Sequence, residues 1–253
     1  MHFRNPVLLA ASCAVLTFAA LAQNKIGPDG NPIPVNAADE PHHSLVLENE
    51  YVRVFNFELT PQKTTPLMVY ENDNVEIAVS GGSLELTAYP HQVAAGVWEV
   101  PRGRVKFWYG HHPFQQRNEE TVRTYRSVMV EIKNPSRQRY NCSPYDGNCV
   151  ADYDTVPPAL EPDKSFSKTL DRDTVRLTDV QVLPKEEWKS HLGALPYLVI
   201  AVSDVDLVDA SSSDDALEFK APSGGVQWGP KSFLGTLKNA DDKPARFVVV
   251  EVK

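Results

Sequence analysis

Imidazoles, phenols, thiols and a few charged pairs are the groups in this sequence with chemistry to offer. His111 and His112 are adjacent beside Trp108 and Tyr109. Either ring could ligate a metal or exchange a proton, although neighbouring loop histidines usually point apart. Two combinations have the types needed for metal-independent acid–base work: His111 with Tyr70, and His191 with Tyr197. His42 and His43 precede a predicted strand and are expected at the surface, as is His91 after Pro90. Lys106 and Glu76 flank one region, where a solvated sheet face is expected before an ion pair. The acidic stretch Ser211–Asp215 reads as a hairpin loop. No Gly-x-Ser-x-Gly, His-Glu-x-x-His, phosphate loop or Gly-x-Gly-x-x-Gly occurs, which removes the common hydrolase, zincin and nucleotide readings.

The elements that must position these groups are strands. Runs such as Val52–Leu59, Val75–Ser80, Leu84–Tyr89, Val97–Val100 and Ser127–Ile132 are rich in β-branched and aromatic residues and are divided by glycine and proline turns. A second series follows: Val175–Leu183, Leu198–Val202, Val205–Val208, Ala216–Phe219, Gly225–Trp228 and Phe247–Val252. Only Lys185–Leu192 has the look of one or two helical turns. The two series repeat one another. Val52-Arg53-Val54 recurs as Val175-Arg176-Leu177, and Ile77-Ala78-Val79-Ser80 recurs unchanged as Ile200-Ala201-Val202-Ser203. Gly103, Asn118 and the run Val128–Lys133 recur as Gly224, Asn239 and Val248–Lys253. An ordered series of matches across both halves is the mark of an internal duplication.

The 253 residues are 42% hydrophobic with a formal charge of −8, enough apolar content for a core and the wrong sign for nucleic acid or an anionic membrane. Residues 1–22 read as a signal peptide: Arg4, an apolar stretch from Val7 to Ala22, and the small-x-small site Ala20-Leu21-Ala22. The mature chain is therefore expected to be exported, periplasmic or secreted, with no membrane association after cleavage. In an oxidising compartment Cys142 and Cys149, separated by a bend at Pro144 and Asp146-Gly147, are expected to form a disulfide.

Two runs of strands with this punctuation resemble the halves of a bicupin, a duplicated cupin barrel. The family is marked by two motifs. The first is Gly, five residues, His-x-His, three or four residues, Glu, six residues, Gly; the second is Gly, five residues, Pro-x-Gly, two residues, His, three residues, Asn. In the C-terminal half the second motif frames as Gly224, Pro230, Ser232, Gly235 and Asn239, and in the N-terminal half as Gly103, Tyr109, His111, Phe114 and Asn118. The first motif frames as Met68, Tyr70, Asn74 and Gly81, and as His191, Gly193, Tyr197 and Asp204. Most framing residues survive, while of the metal-holding ones only His191 is kept. A thioether, a phenol, a neutral amide and a phenyl ring do not make a site for Fe(II), Mn or Zn, and His191 alone would not retain one.

The resemblance implies an all-β chain of two tandem jelly-roll barrels. Residues 23–41 form an extended lead-in, 42–133 barrel 1, 134–164 a Pro-rich linker with the disulfide loop, and 165–253 barrel 2. The family normally holds a metal through the three histidines and the glutamate, and their replacement here leads to the expectation of no metal and no cofactor. Met68, Tyr70, Asn74 and Phe114 would line a small apolar or aromatic ligand pocket or simply fill the barrel, with His191 the counterpart in barrel 2. The expected function is binding or structural support. A metal-independent isomerase or lyase using His191, Tyr197 or His111 is the alternative, and a rebuilt metal-dependent dioxygenase a more distant one. A small-molecule ligand is the expected partner, and pairing of the chain into a homo-oligomer is left open.

Overall fold

The computed structural model describes residues 25–28, 30–89, 93–134, 163–190, 195–210, 218–229 and 235–253. Among them the helical content is one 3-10 turn, Ala37–Asp39, capped by the Asn36 side chain, which accepts from the Ala38 N–H. The lead-in carries β1 (Lys25–Ile26), β2 (Pro32–Ile33) and β3 (Val35–Asn36). Barrel 1 follows with β4 (His43–Glu48), β5 (Val52–Leu59), β6 (Met68–Val69), β7 (Asn74–Ala78), β8 (Gly82–Ala88), β9 (Val93–Val100), β10 (Val105–Trp108), β11 (Phe114–Asn118) and β12 (Tyr125–Ile132). Barrel 2 comprises β13 (Phe166–Asp171), β14 (Val175–Val182), β15 (Glu187–Lys189), β16 (Tyr197–Ala201), β17 (Val205–Asp209), β18 (Glu218–Ala221), β19 (Val226–Gly229), β20 (Thr236–Asn239) and β21 (Ala245–Val252).

The strand orders restate the duplication. Barrel 1 packs a sheet β10-β7-β12-β5-β4 over a sheet β3-β6-β11-β8-β9; barrel 2 packs β19-β16-β21-β14-β13 over β15-β20-β17-β18. Each strand of barrel 2 has its counterpart in barrel 1. The extra member is β3, which runs parallel to β6 and brings the lead-in into the barrel wall. The helical turns expected over Lys185–Leu192 do not form where the chain is described. Trp188 must turn inward against Phe247, and β15 pairs with β20 to hold it there.

Strict alternation explains both the barrels and their docking. In β5, β7, β10 and β12, one set of side chains (Val52, Val54, Val75, Ile77, Val105, Phe107, Val128, Val130, Ile132) faces away from the barrel interior. These residues join Val175, Leu177, Leu198, Ile200, Val202, Val248, Val250 and Val252 of barrel 2 in a single buried apolar cluster. The two long sheets are thus packed face to face, so both faces of each are covered. Tyr51 and Trp228 stack across the seam at 5.6 Å.

The retained motif residues hold backbone, not ligands. Asn118 Nδ2 donates to the Leu59 and Arg123 carbonyls, and Asn239 Nδ2 donates to those of Val182 and Lys243. Gly103 and Gly224 sit in matching turns with φ of 81° and 89°. Those turns meet the opposite barrel reciprocally: Arg246 donates to the Gly103 carbonyl at 3.0 Å and pairs with buried Asp179, while Arg126 donates to the Ser223 carbonyl at 3.4 Å. Arg102 adds two bonds to the Val202 carbonyl.

Candidate functional site

The alternate residues of the same strands point into barrel 1. From β7 come Asn74, Glu76 and Ala78, from β10 Lys106 and Trp108, and from β12 Tyr125. The facing sheet adds Leu84, Leu86, Trp98, Val100 and Gln116. With Arg104 at the end of β10, most of these line a small cleft of about 20 Å³ that opens to solvent. Glu76, Ala78, Lys106, Gln116 and Tyr125 are buried and form its floor, while Trp98, Arg104 and Trp108 are half-buried and form its rim.

The floor is a connected polar group. Glu76 accepts the Tyr125 hydroxyl at 2.8 Å on Oε1 and the Trp108 indole N–H at 3.0 Å on Oε2. Lys106, opposite Glu76 in the β7–β10 ladder, is 3% exposed. Its Nζ lies 3.3 Å from the Trp108 ring centroid and 4.5 Å from that of Trp98. Burial pushes the Lys106 ammonium down to about 7, against the opposing pull of Glu76; nearby Arg104 pushes the same way as burial. Burial also raises the Tyr125 phenol well above its ordinary value, with Glu76 adding to the effect.

A second polar group lies behind this floor. Glu40, 1% exposed, receives bonds from two imidazoles: His42 Nδ1 on Oε1 and His43 Nδ1 at 2.6 Å on Oε2. With His43 Nδ1–H donating to Glu40, its Nε2 accepts from the Tyr70 hydroxyl at 2.6 Å. Rings link the two groups: Tyr70 stacks on Phe114, which is stacked in turn by Trp108 at 5.8 Å with planes 3° apart.

Several expectations are corrected by this geometry. His43 is not a surface residue, because β3 and the 3-10 turn fold the lead-in over the barrel and carry Glu40 inside with it. Lys106 and Glu76 do not lie on a solvated face, because barrel 2 covers the outer side of their sheet and leaves only the interior for the alternate side chains. His111 does not pair with Tyr70 through its side chain. Its ring is exposed in a left-handed turn (φ 66°), and only its backbone N–H meets the Tyr70 carbonyl. Met68, Tyr70 and Phe114 do come together in one buried cluster. Asn74 is buried nearby with its Oδ1 making no hydrogen bond among the described residues. Tyr197 lies in barrel 2 with its ring against Gly229, where an added Cβ would come within 2.1 Å of it. His191, His91, Cys142 and Cys149 lie outside the described residues.

Barrel 2 shows what this scaffold looks like without the polar group. The ladders place Val199 where barrel 1 has Glu76, Gln227 for Lys106, Gly229 for Trp108, Leu237 for Gln116 and Ala245 for Tyr125. Among the described residues its interior holds an apolar cluster built from Val180, Tyr197, Val199, Leu207, Leu237 and Phe247 with their neighbours. The fold therefore does not require a lysine, a glutamate or the paired indoles. That comparison was available in the sequence: aligning the two halves singles out Glu76, Trp108 and Tyr125 as positions where one copy is polar or aromatic and the other is not, and Lys106 as a charge replaced by the neutral Gln227.

The metal positions of the cupin plan do not fit a metal here. Among the described residues, no three His, Cys, Asp or Glu side chains form a group able to hold an ion. Met68, Tyr70, Asn74 and Phe114 offer no imidazole or carboxylate.

Two jelly-roll barrels joined through their long sheets define the bicupin fold, and known structures agree. Oxalate decarboxylase from Bacillus subtilis, solved at pH 4.6, superposes with a TM-score of 0.52 at 14% identity, covering 81% of this chain and 68% of that one. A second structure of that protein, described for its Mn(II) centres, gives a TM-score of 0.52 at 14% identity over 81% of this chain and 70% of that one. No family model matches the sequence, and no curated protein matches it. The chain has a bicupin fold with the metal-binding motif residues replaced.

Proposed function

We propose that this is an exported, metal-independent binding protein in which barrel 1 holds a small organic ligand and barrel 2 serves as its support. The observation that carries the reading is that, among the described residues, the Glu76–Tyr125–Trp108–Lys106 group occurs in barrel 1 and has no equivalent in barrel 2. Buried polar side chains that the scaffold does without are costly to keep, and their presence beside an open cleft points to a ligand. Export is supported by the leader-like residues 1–22. Among the described residues no helix is long and apolar enough to cross a membrane.

The lining favours a flat molecule with an acidic end. Trp98 and Leu86 offer apolar faces, while Lys106, Arg104 and Gln116 offer donors. Glu76 already accepts two hydrogen bonds. The manganese chemistry of oxalate decarboxylase is not carried over, since its kind of ligand set has no counterpart at Met68, Tyr70, Asn74 and Phe114. Titration with a series of small carboxylates, followed by tryptophan fluorescence, tests the reading. Saturable quenching that Trp98→Leu reduces by about tenfold in affinity is the expected result. Absence of quenching by every acid in the series, or stoichiometric Mn, Fe or Zn in the purified protein, would overturn it.

A further inference from the structure

A buried primary amine between two indoles is more than an anchor for an acid. We propose that Lys106 binds its ligand covalently, its Nζ condensing with the carbonyl carbon of a small aldehyde or 2-keto acid to form an imine. The inference rests on barrel 1 being a small-ligand site and narrows that ligand to a carbonyl compound.

Three features of the floor support it. Trp108 and Trp98 hold the amine at 3.3 Å and 4.5 Å from their ring centroids, which fixes its position. The amine lines the cleft that a ligand would enter. Arg104 and Gln116 line the same cleft and provide donors for a carboxylate next to the reacting carbon. Burial strengthens the case, because a lysine brought down to about 7 is roughly half free amine at neutral pH, the form that attacks. Barrel 2 holds Gln227 at the matching place, so the backbone there has no need of an amine.

The step balances without a further reactant. The Nζ lone pair forms the C–N bond as the carbonyl π bond breaks onto its oxygen. That oxygen takes up a proton and the nitrogen gives one up, producing a carbinolamine. The hydroxyl then takes up a proton and leaves as water while the nitrogen gives up its remaining proton, which leaves the C=N bond. The Tyr125 hydroxyl, bonded to Glu76 at 2.8 Å on the same floor, is the pair placed to pass those protons.

The test treats the full-length protein with sub-stoichiometric glyoxylate and cyanoborohydride near neutral pH, then maps carboxymethylated lysines by peptide mass spectrometry. Lys106 should be labelled at least about tenfold above any other lysine. Lys106→Gln, which copies Gln227, should lose that label while keeping its far-UV circular dichroism. Labelling spread over the other lysines with Lys106 unmodified would overturn the covalent step. Glycolate, which has the acid but no aldehyde or ketone carbon to condense with an amine, separates the two readings. If Lys106 is unlabelled yet glycolate or another acid of the series quenches Trp fluorescence, ligand binding stands and the imine falls; if every acid of the series is also silent, both fall. Should Lys106→Gln misfold, the peptide map of the wild type decides alone.

Discussion

Glu40 shows how a single carboxyl fixes the inner end of barrel 1. Burial by itself would raise its pKa, but hydrogen bonds from His42 and His43 outweigh that and hold the group below the usual carboxylate range. The folded state thus favours the charged form. Its contribution to stability is complete above the unfolded value of 4.5 and is lost as pH falls through the lower folded value. Glu40→Gln should cost about 2 kcal/mol in urea denaturation near neutral pH, with the gap to wild type closing in acid. A pH-independent gap would contradict this assignment. None of this was legible from His42-His43 read locally. Two polar rings before a strand look exposed until a separate strand, β3, is known to lie along the wall. Lys106 was misread for a related reason. Lys106 alternates with Val105 and Phe107 along β10, and the side expected to meet water is the interior, since the apolar side has a whole second barrel to cover it.

Among the elements, the glycine turns carry most of the registration between barrels. Gly103 and Gly224 share a left-handed backbone, so alanine at either adds strain of about 1 kcal/mol. They differ in what a side chain would meet. At Gly103 an added Cβ lies 2.3 Å from the Arg246 guanidinium, whereas at Gly224 the nearest atom, Arg126 Nη2, is 3.4 Å away. Gly103→Ala should therefore lower stability by about 2–3 kcal/mol, clearly more than Gly224→Ala, because it must also dislodge Arg246 from Asp179. Equal urea midpoints for the two variants would count against that asymmetry. At this scale the sequence was informative. Strand runs, turn glycines and the matched asparagines could be read directly, because backbone geometry constrains residue type at those places. The short Glu187–Lys189 strand could not, since its pairing is decided by β20 about fifty residues further on.

Taken whole, the molecule has one apolar wall serving two barrels. Val130 and Val250, both fully buried, meet in the cluster that spans the seam. Separating the barrels would expose that entire cluster, so the halves should unfold together. Scanning calorimetry is expected to give a single transition, with calorimetric and van't Hoff enthalpies in agreement. Val130→Asp should lower both barrels' stability at once, by about 3 kcal/mol or more. Two resolved transitions would show that the wall is not shared. The duplication and the barrel plan were legible in the sequence because they leave repeats and framing residues. The docking surface was not, since a strand covered on both faces and a strand in an isolated barrel are built from the same β-branched residues.

The parallel seat of β3 beside β6 has a consequence for biogenesis. Residues 35 and 36 leave the ribosome ahead of every strand of barrel 1, yet their hydrogen-bonding partners at 68 and 69 are translated later. The stretch made first must therefore wait, and the chamber acquires that side only after downstream chain has emerged to receive it.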